Sequence, residues 1–160
     1  VTPSGTRTPK GRGRPGAFYA LARQGDNLGL LAGNLLNAAL EGQPSEIQTE
    51  KLRTLAMGLG SEPPEAHRHI TQRLLAAVQR LNALHYQARW EARPEGPRVT
   101  LDHCPYAAII DAHPELCQMD AHLIQHLTGQ PATQTAKLES GPDGLPHCLF
   151  LLKPGQGRAR

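Results

Sequence analysis

Three cysteines and eight histidines are the residues of this chain best suited to chemistry. Cys104 follows a strand-like end in Leu101-Asp102-His103-Cys104-Pro105-Tyr106. Cys117 comes early in the helix that Pro114 opens, and Cys148 opens the last strand-like run. Gaps of 12 and then 30 intervening residues match no compact zinc ribbon. Placement says more than spacing. Cys104 and Cys117 lie beside helix starts, where free N–H groups favour the thiolate that binds metals or attacks electrophiles. Three buried, inert cysteines are the alternative reading. His103 and His147 each precede a cysteine, so either could be a fourth ligand if the cysteines converge. His122 and His126 have the i, i+4 spacing that lets two imidazoles share a metal. The wheel turns His122 roughly 140° from Cys117, which makes a separate, solvated pair the expectation.

Catalysis is not expected. Cys104 with a histidine base would need an orienting carboxylate and an oxyanion hole, and neither stands at a recognisable spacing. The glycines of Gly11-Arg12-Gly13-Arg14-Pro15-Gly16 make no phosphate loop, because no strand precedes them and Pro15 blocks the receiving helix.

The elements that must hold these residues divide by period. Residues 1–14 are Gly-, Pro- and Arg-rich and read as a flexible arm or a hairpin tip. Residues 17–22 form one strand, whose partner would have to come from that polar arm or from nothing. Helical spacing follows over 27–41 and 45–57. Pro63-Pro64-Glu65 then opens the longest expected helix, striped by Ile70, Leu74, Leu75, Val78, Leu81 and Leu84. Residues 85–92 alternate as a strand, turn at 94–97 and pair with 98–101. Two short helices, 106–111 and 114–128, precede a second strand pair, 132–139 with 147–152. The class is α+β: a helical section, then a small antiparallel sheet with two inserted helices.

Composition bounds the function. The chain has 160 residues, 39% hydrophobic and 4% aromatic, with no apolar run long enough to cross a membrane. An odd cysteine count with no secretory leader points to the reducing cytoplasm. The net charge of +3 conceals basic ends: Arg7, Lys10, Arg12, Arg14 and Arg23 at one, Lys153, Arg158 and Arg160 at the other. All fourteen acids lie between them, against nine Lys or Arg. Basic arms bind phosphates specifically only beside a reading element.

Gly13-Arg14-Pro15-Gly16-Ala17-Phe18-Tyr19-Ala20-Leu21 with Gly25 resembles the stretch closing the winged-helix domain of bacterial repressors in the arsenic-repressor/DeoR-like group. That group includes the repressor of the suf operon for iron–sulfur cluster assembly. Cys104-Pro105-Tyr106, His113-Pro114-Glu115-Leu116-Cys117 and the run from Gly141 to Cys148-Leu149-Phe150 resemble the sensor half of the same group. The resemblance covers about residues 11–152. It implies a winged helix that reads DNA, a helical dimer section, and an iron–sulfur cluster on Cys104, Cys117 and Cys148. Two features depart from the family. Its further cysteine, due near 133–137, has no counterpart, and the recognition helix ahead of the wing is absent.

These observations together predict a transcriptional regulator's sensor and dimerisation part. Residues 1–24 would be a basic arm and wing remnant, 25–84 the helical dimer section, 85–153 the cysteine-bearing sensor and 154–160 a basic tail. Cys104, Cys117 and Cys148 would hold an iron–sulfur cluster or zinc, and Arg12 and Arg14 would touch DNA phosphates. The stripe Ile70, Leu74, Val78 and Leu81 would be buried in a homodimer. A sensor for a small organic ligand and a zinc-stabilised interaction domain are the competing functions.

Overall fold

The structure is a computed structural model, and it describes residues 2–6, 17–20, 27–60, 69–140 and 146–153. Four helices and a four-stranded antiparallel sheet make an α+β fold, with a separate two-stranded pair ahead of them. In that pair β1 (Thr2–Thr6) runs antiparallel to β2 (Ala17–Ala20), with a register slip between Pro3 and Gly5. The polar arm thus supplies the partner strand. Pairing needs only backbone donors and acceptors, and the slip falls where Pro3 lacks an N–H.

Helices α1 (Leu28–Leu40), α2 (Ser45–Leu59) and α3 (Ile70–Ala83) follow. The expected start of the third helix at 63–65 lies outside the described residues. What is described of α3 is capped by His69, whose Nδ1 accepts from Thr71 N, and is one residue shorter than α2. Of its stripe, Leu74 and Leu81 are buried, Ile70, Val78 and Leu84 are half-buried and Leu75 is exposed. Leu74, Ala77 and Leu81 are buried within the chain, where α3 packs on α4 and β3. Leu74 and Leu81 are therefore covered by the chain's own central helix and sheet and are not free for a symmetry mate.

The main sheet has the order β3-β4-β6-β5. Strands β3 (Ala88–Glu91) and β4 (Arg98–Leu101) are the expected hairpin, tied by Arg98 Nε donating to Glu91 at 2.7 Å. The first strand is shorter than its alternating pattern, because His85 and Gln87 sit in the left-handed region at φ 66° and 50° and end the pleat. Gly96 closes the turn at φ 136°, with Leu152 O where a Cβ would lie. Strands β5 (Ala132–Ser140) and β6 (Pro146–Leu152) pair as expected, with irregularities between Gln134 and Glu139.

One helix rather than two is inserted. Residues 105–112 are a run of turns in which Tyr106 O accepts from Ile109 N and Ile110 N without propagating a helix. Six residues behind a proline supply too few bonds to offset nucleation. Helix α4 (Leu116–Thr128) begins two residues later than Pro114 suggests and ends on Gly129 at φ 65°. Leu116, Cys117, Asp120, Leu123, Ile124 and Leu127 all face inward, so α4 is the central helix, packed against α2, α3 and β5. No helix among the described residues is long and apolar enough to cross a membrane.

Candidate functional site

Cys148 stands opposite Leu101 in the β4–β6 ladder, and strand alternation puts it with Phe150 and Leu152 on the buried face. Cys117 is the second residue of α4 and is also buried. Cys104 leaves the end of β4 on a segment stitched to the residues before β3: His103 N donates to Tyr86 O at 3.1 Å, and His103 Nδ1 lies 2.7 Å from His85 O. Three different elements thus bring the three cysteines to one small cavity, which Tyr86, Asp120 and Leu138 also line. Its water-accessible space is about 10 Å³, roughly that of one water molecule. The thiols are free. As they stand, no three or more of the described His, Cys, Asp and Glu form a group that could hold a metal ion.

The thiolate expectation from helix starts is reversed. Burial pushes the Cys104 thiol up to about 11, with the Tyr106 backbone N–H opposing and the Asp120 carboxylate adding to the rise. Burial raises Cys117 and Cys148 too. Desolvation outweighs the partial charge of a first helical turn, so the site is a nest of neutral thiols. Donors nonetheless point toward thiolate. Leu138, in the left-handed region at φ 49°, gives its N–H to Cys148 Sγ at 3.5 Å. The Gln134 side chain opposes the rise at both Cys117 and Cys148. A neutral thiol is a weak acceptor for such a donor, and a thiolate is a good one.

Asp120 went unread in the sequence. It is 5% exposed, it receives the Tyr86 hydroxyl at 2.6 Å, and burial raises its carboxyl to about 7. The Tyr86 oxygen is also 3.3 Å from the Tyr106 hydroxyl, and burial pushes both phenols up. A signal was present: an acid three residues after Cys117, between Met119 and Leu123, interrupts an apolar stripe.

The other expected residues separate. His103 lines the same cavity from its exposed side, whereas His147 is not among the residues that line it. His122 and His126 face a different, open pocket with Glu50 and Arg53, as their angle from Cys117 predicts. Arg12 and Arg14 lie outside the described residues. No protein-family model matches this chain, and no curated protein matches it. The site must be judged on its own donors. Three neutral thiols and a buried carboxyl that accepts from the Tyr86 hydroxyl line one small cavity.

Proposed function

We propose that this chain is the sensor and dimer-forming part of a cytoplasmic transcriptional regulator whose Cys104, Cys117 and Cys148 hold one metal centre. The carrying observation is that cysteines far apart in sequence line one buried cavity. The family resemblance names the centre as an iron–sulfur cluster, with zinc as the alternative, and the donor set suits both. A bound cluster would supply a centre that oxidants and iron depletion remove.

The chain's own residues offer a route outward. Cys104 shares its segment with Ala108, Ile109 and His113, and these meet α1 at its glycines. Gly29 faces Ala108 and Ile109, and Gly33 faces the His113 ring. A shift of Cys104 toward a ligand would therefore move the segment against α1. On α1, Leu28, Leu31 and Leu35 are more than half exposed, at the 3–4 spacing of a helix–helix seam. We take that face as the dimer contact.

At the thiol cavity an organic ligand is the weaker reading, since it has room for about one water; the space for one lies elsewhere, in an apolar pocket of about 400 Å³ lined by Leu36, Leu55, Tyr106 and Met119. Anaerobic incubation of the reduced chain with iron and sulfide tests the proposal. Brown protein with visible absorption is expected, and Cys104→Ser, Cys117→Ser and Cys148→Ser should each abolish it. Colourless protein that also fails to retain zinc would defeat the reading.

A further inference from the structure

We propose that the cleft which α1 and α2 form over the start of α4 is a binding site for a small, uncharged, largely hydrocarbon molecule. Its volume is about 400 Å³, within the roughly 300–1,000 Å³ of small-molecule sites. It shares no lining residue with the thiol cavity, so the inference stands apart from the metal-binding reading. Leu116 and Met119, both buried in the first turn of α4, form its floor. Leu36, Leu59 and Ile109 are half-buried walls. Thr54, Leu55 and Gly58 of α2 are exposed and mark its open side.

The lining sets the chemistry of the occupant. None of the lining residues carries a charge. Both hydroxyls among them are engaged: Thr54 Oγ1 donates to Glu50 O at 2.9 Å, and the Tyr106 hydroxyl lies 3.3 Å from the Tyr86 oxygen. A charged or strongly hydrogen-bonding guest would lose its water there without replacement. An inserted peptide is disfavoured on the same ground, because its backbone brings an N–H and a C=O with nearly every residue. A second copy has a different side of α1 to use, since the wheel sets Ala32 and Leu36 roughly 90° from the seam of Leu28, Leu31 and Leu35. Small residues keep the space open. Ala32 stands in a helix otherwise rich in leucine. Gly58 lies in the last turn of α2, where a Cβ would meet nothing within 4 Å. A larger residue there would favour the helix, yet the chain leaves the volume unfilled.

The test titrates N-phenyl-1-naphthylamine, a neutral probe that brightens in apolar surroundings, into the reduced full chain and into Gly58→Leu, Ala32→Leu and Leu75→Glu. Circular dichroism and urea midpoints check folding, and leucine is a strong helix former at both filled positions. Expected for the unaltered chain is saturable, blue-shifted emission that decanol displaces and decanoate displaces less readily. Gly58→Leu and Ala32→Leu should each weaken probe binding about tenfold or more, because the added side chain takes the guest's place. Leu75→Glu should match the unaltered chain. Emission that does not saturate, or that survives both filled variants, would overturn the site. Decanoate as effective as decanol would overturn the uncharged guest. A mass halved by Gly58→Leu in light scattering would assign the cleft to a second copy instead.

Discussion

The Tyr86 hydroxyl donates to Asp120 Oδ1 at 2.6 Å, and both side chains are buried. Burial holds this carboxyl at about 7, against an ordinary 3.8, although the Tyr86 bond opposes the rise. Between those values the folded chain keeps a proton that the unfolded chain has released. This group's contribution to stability is therefore greatest at low pH, declines as pH rises through that window, and levels off above it. Urea midpoints of the metal-free chain should carry this downward component, by a few kcal/mol in all. Asp120→Asn should remove it; parallel pH profiles for the two proteins would refute the burial account.

Tyr86→Phe leaves the same carboxyl without its donor. A loss of about 1–3 kcal/mol in unfolding free energy is expected, larger at neutral than at acid pH. Equal losses at both would mean that only packing had been removed.

Alkylation reads the neutral thiols directly. With Cys104 at about 11 instead of 9.0, its thiolate fraction near neutral pH is lower by about a hundredfold. Iodoacetamide should label Cys104 of the native, metal-free chain far more slowly than in urea, as followed by peptide mass spectrometry. Labelling at the unfolded rate would contradict the site as described.

Backbone geometry gives a contrast in stability. Gly96→Ala puts a methyl against Leu152 O at a φ of 136°, and should cost roughly 1–3 kcal/mol. Gly33→Ala meets the His113 ring at 3.4 Å, an ordinary contact, and gains helix propensity of up to about 1 kcal/mol. Gly33→Leu has no such room and should both destabilise the chain and disturb metal uptake through the Cys104 segment. Thermal melts rank the three.

The dimer prediction now falls on α1. Light scattering at tens of micromolar should give twice the chain mass, and Leu31→Glu with Leu35→Glu should halve it. Leu75→Glu, on an exposed position of α3, should leave it unchanged. A monomer before substitution would remove the dimer from the account.

Period and punctuation made most of the fold legible. Cys148, Phe150 and Leu152 alternate, α4 carries its stripe to Gly129, and the hairpin turn at 94–97 falls where its residues demand. Burial was less legible. Leu74 and Leu81 on α3 read the same whether a partner chain or the chain's own sheet covers them, and only tertiary packing decides. The run 106–111 carries helix-forming residues, yet six of them cannot sustain a helix. For the site, the cysteines converge because Leu101 and Cys148 are ladder partners, a neighbour relation the sequence permitted but did not require. Their neutral state was misread, since a helix start is visible in sequence and desolvation is not. Asp120 was visible as an acid in an apolar stripe, but its partner Tyr86 lies 34 residues away.

Native mass spectrometry under anaerobic conditions tests the central claim most directly. The full chain, loaded with zinc or with iron and sulfide, should carry one metal centre per chain, and each single serine substitution at Cys104, Cys117 or Cys148 should return it to the metal-free mass. A loaded mass that survives any one of those substitutions, or an unloaded mass for the unaltered chain, would contradict the claim that these three thiols form one site.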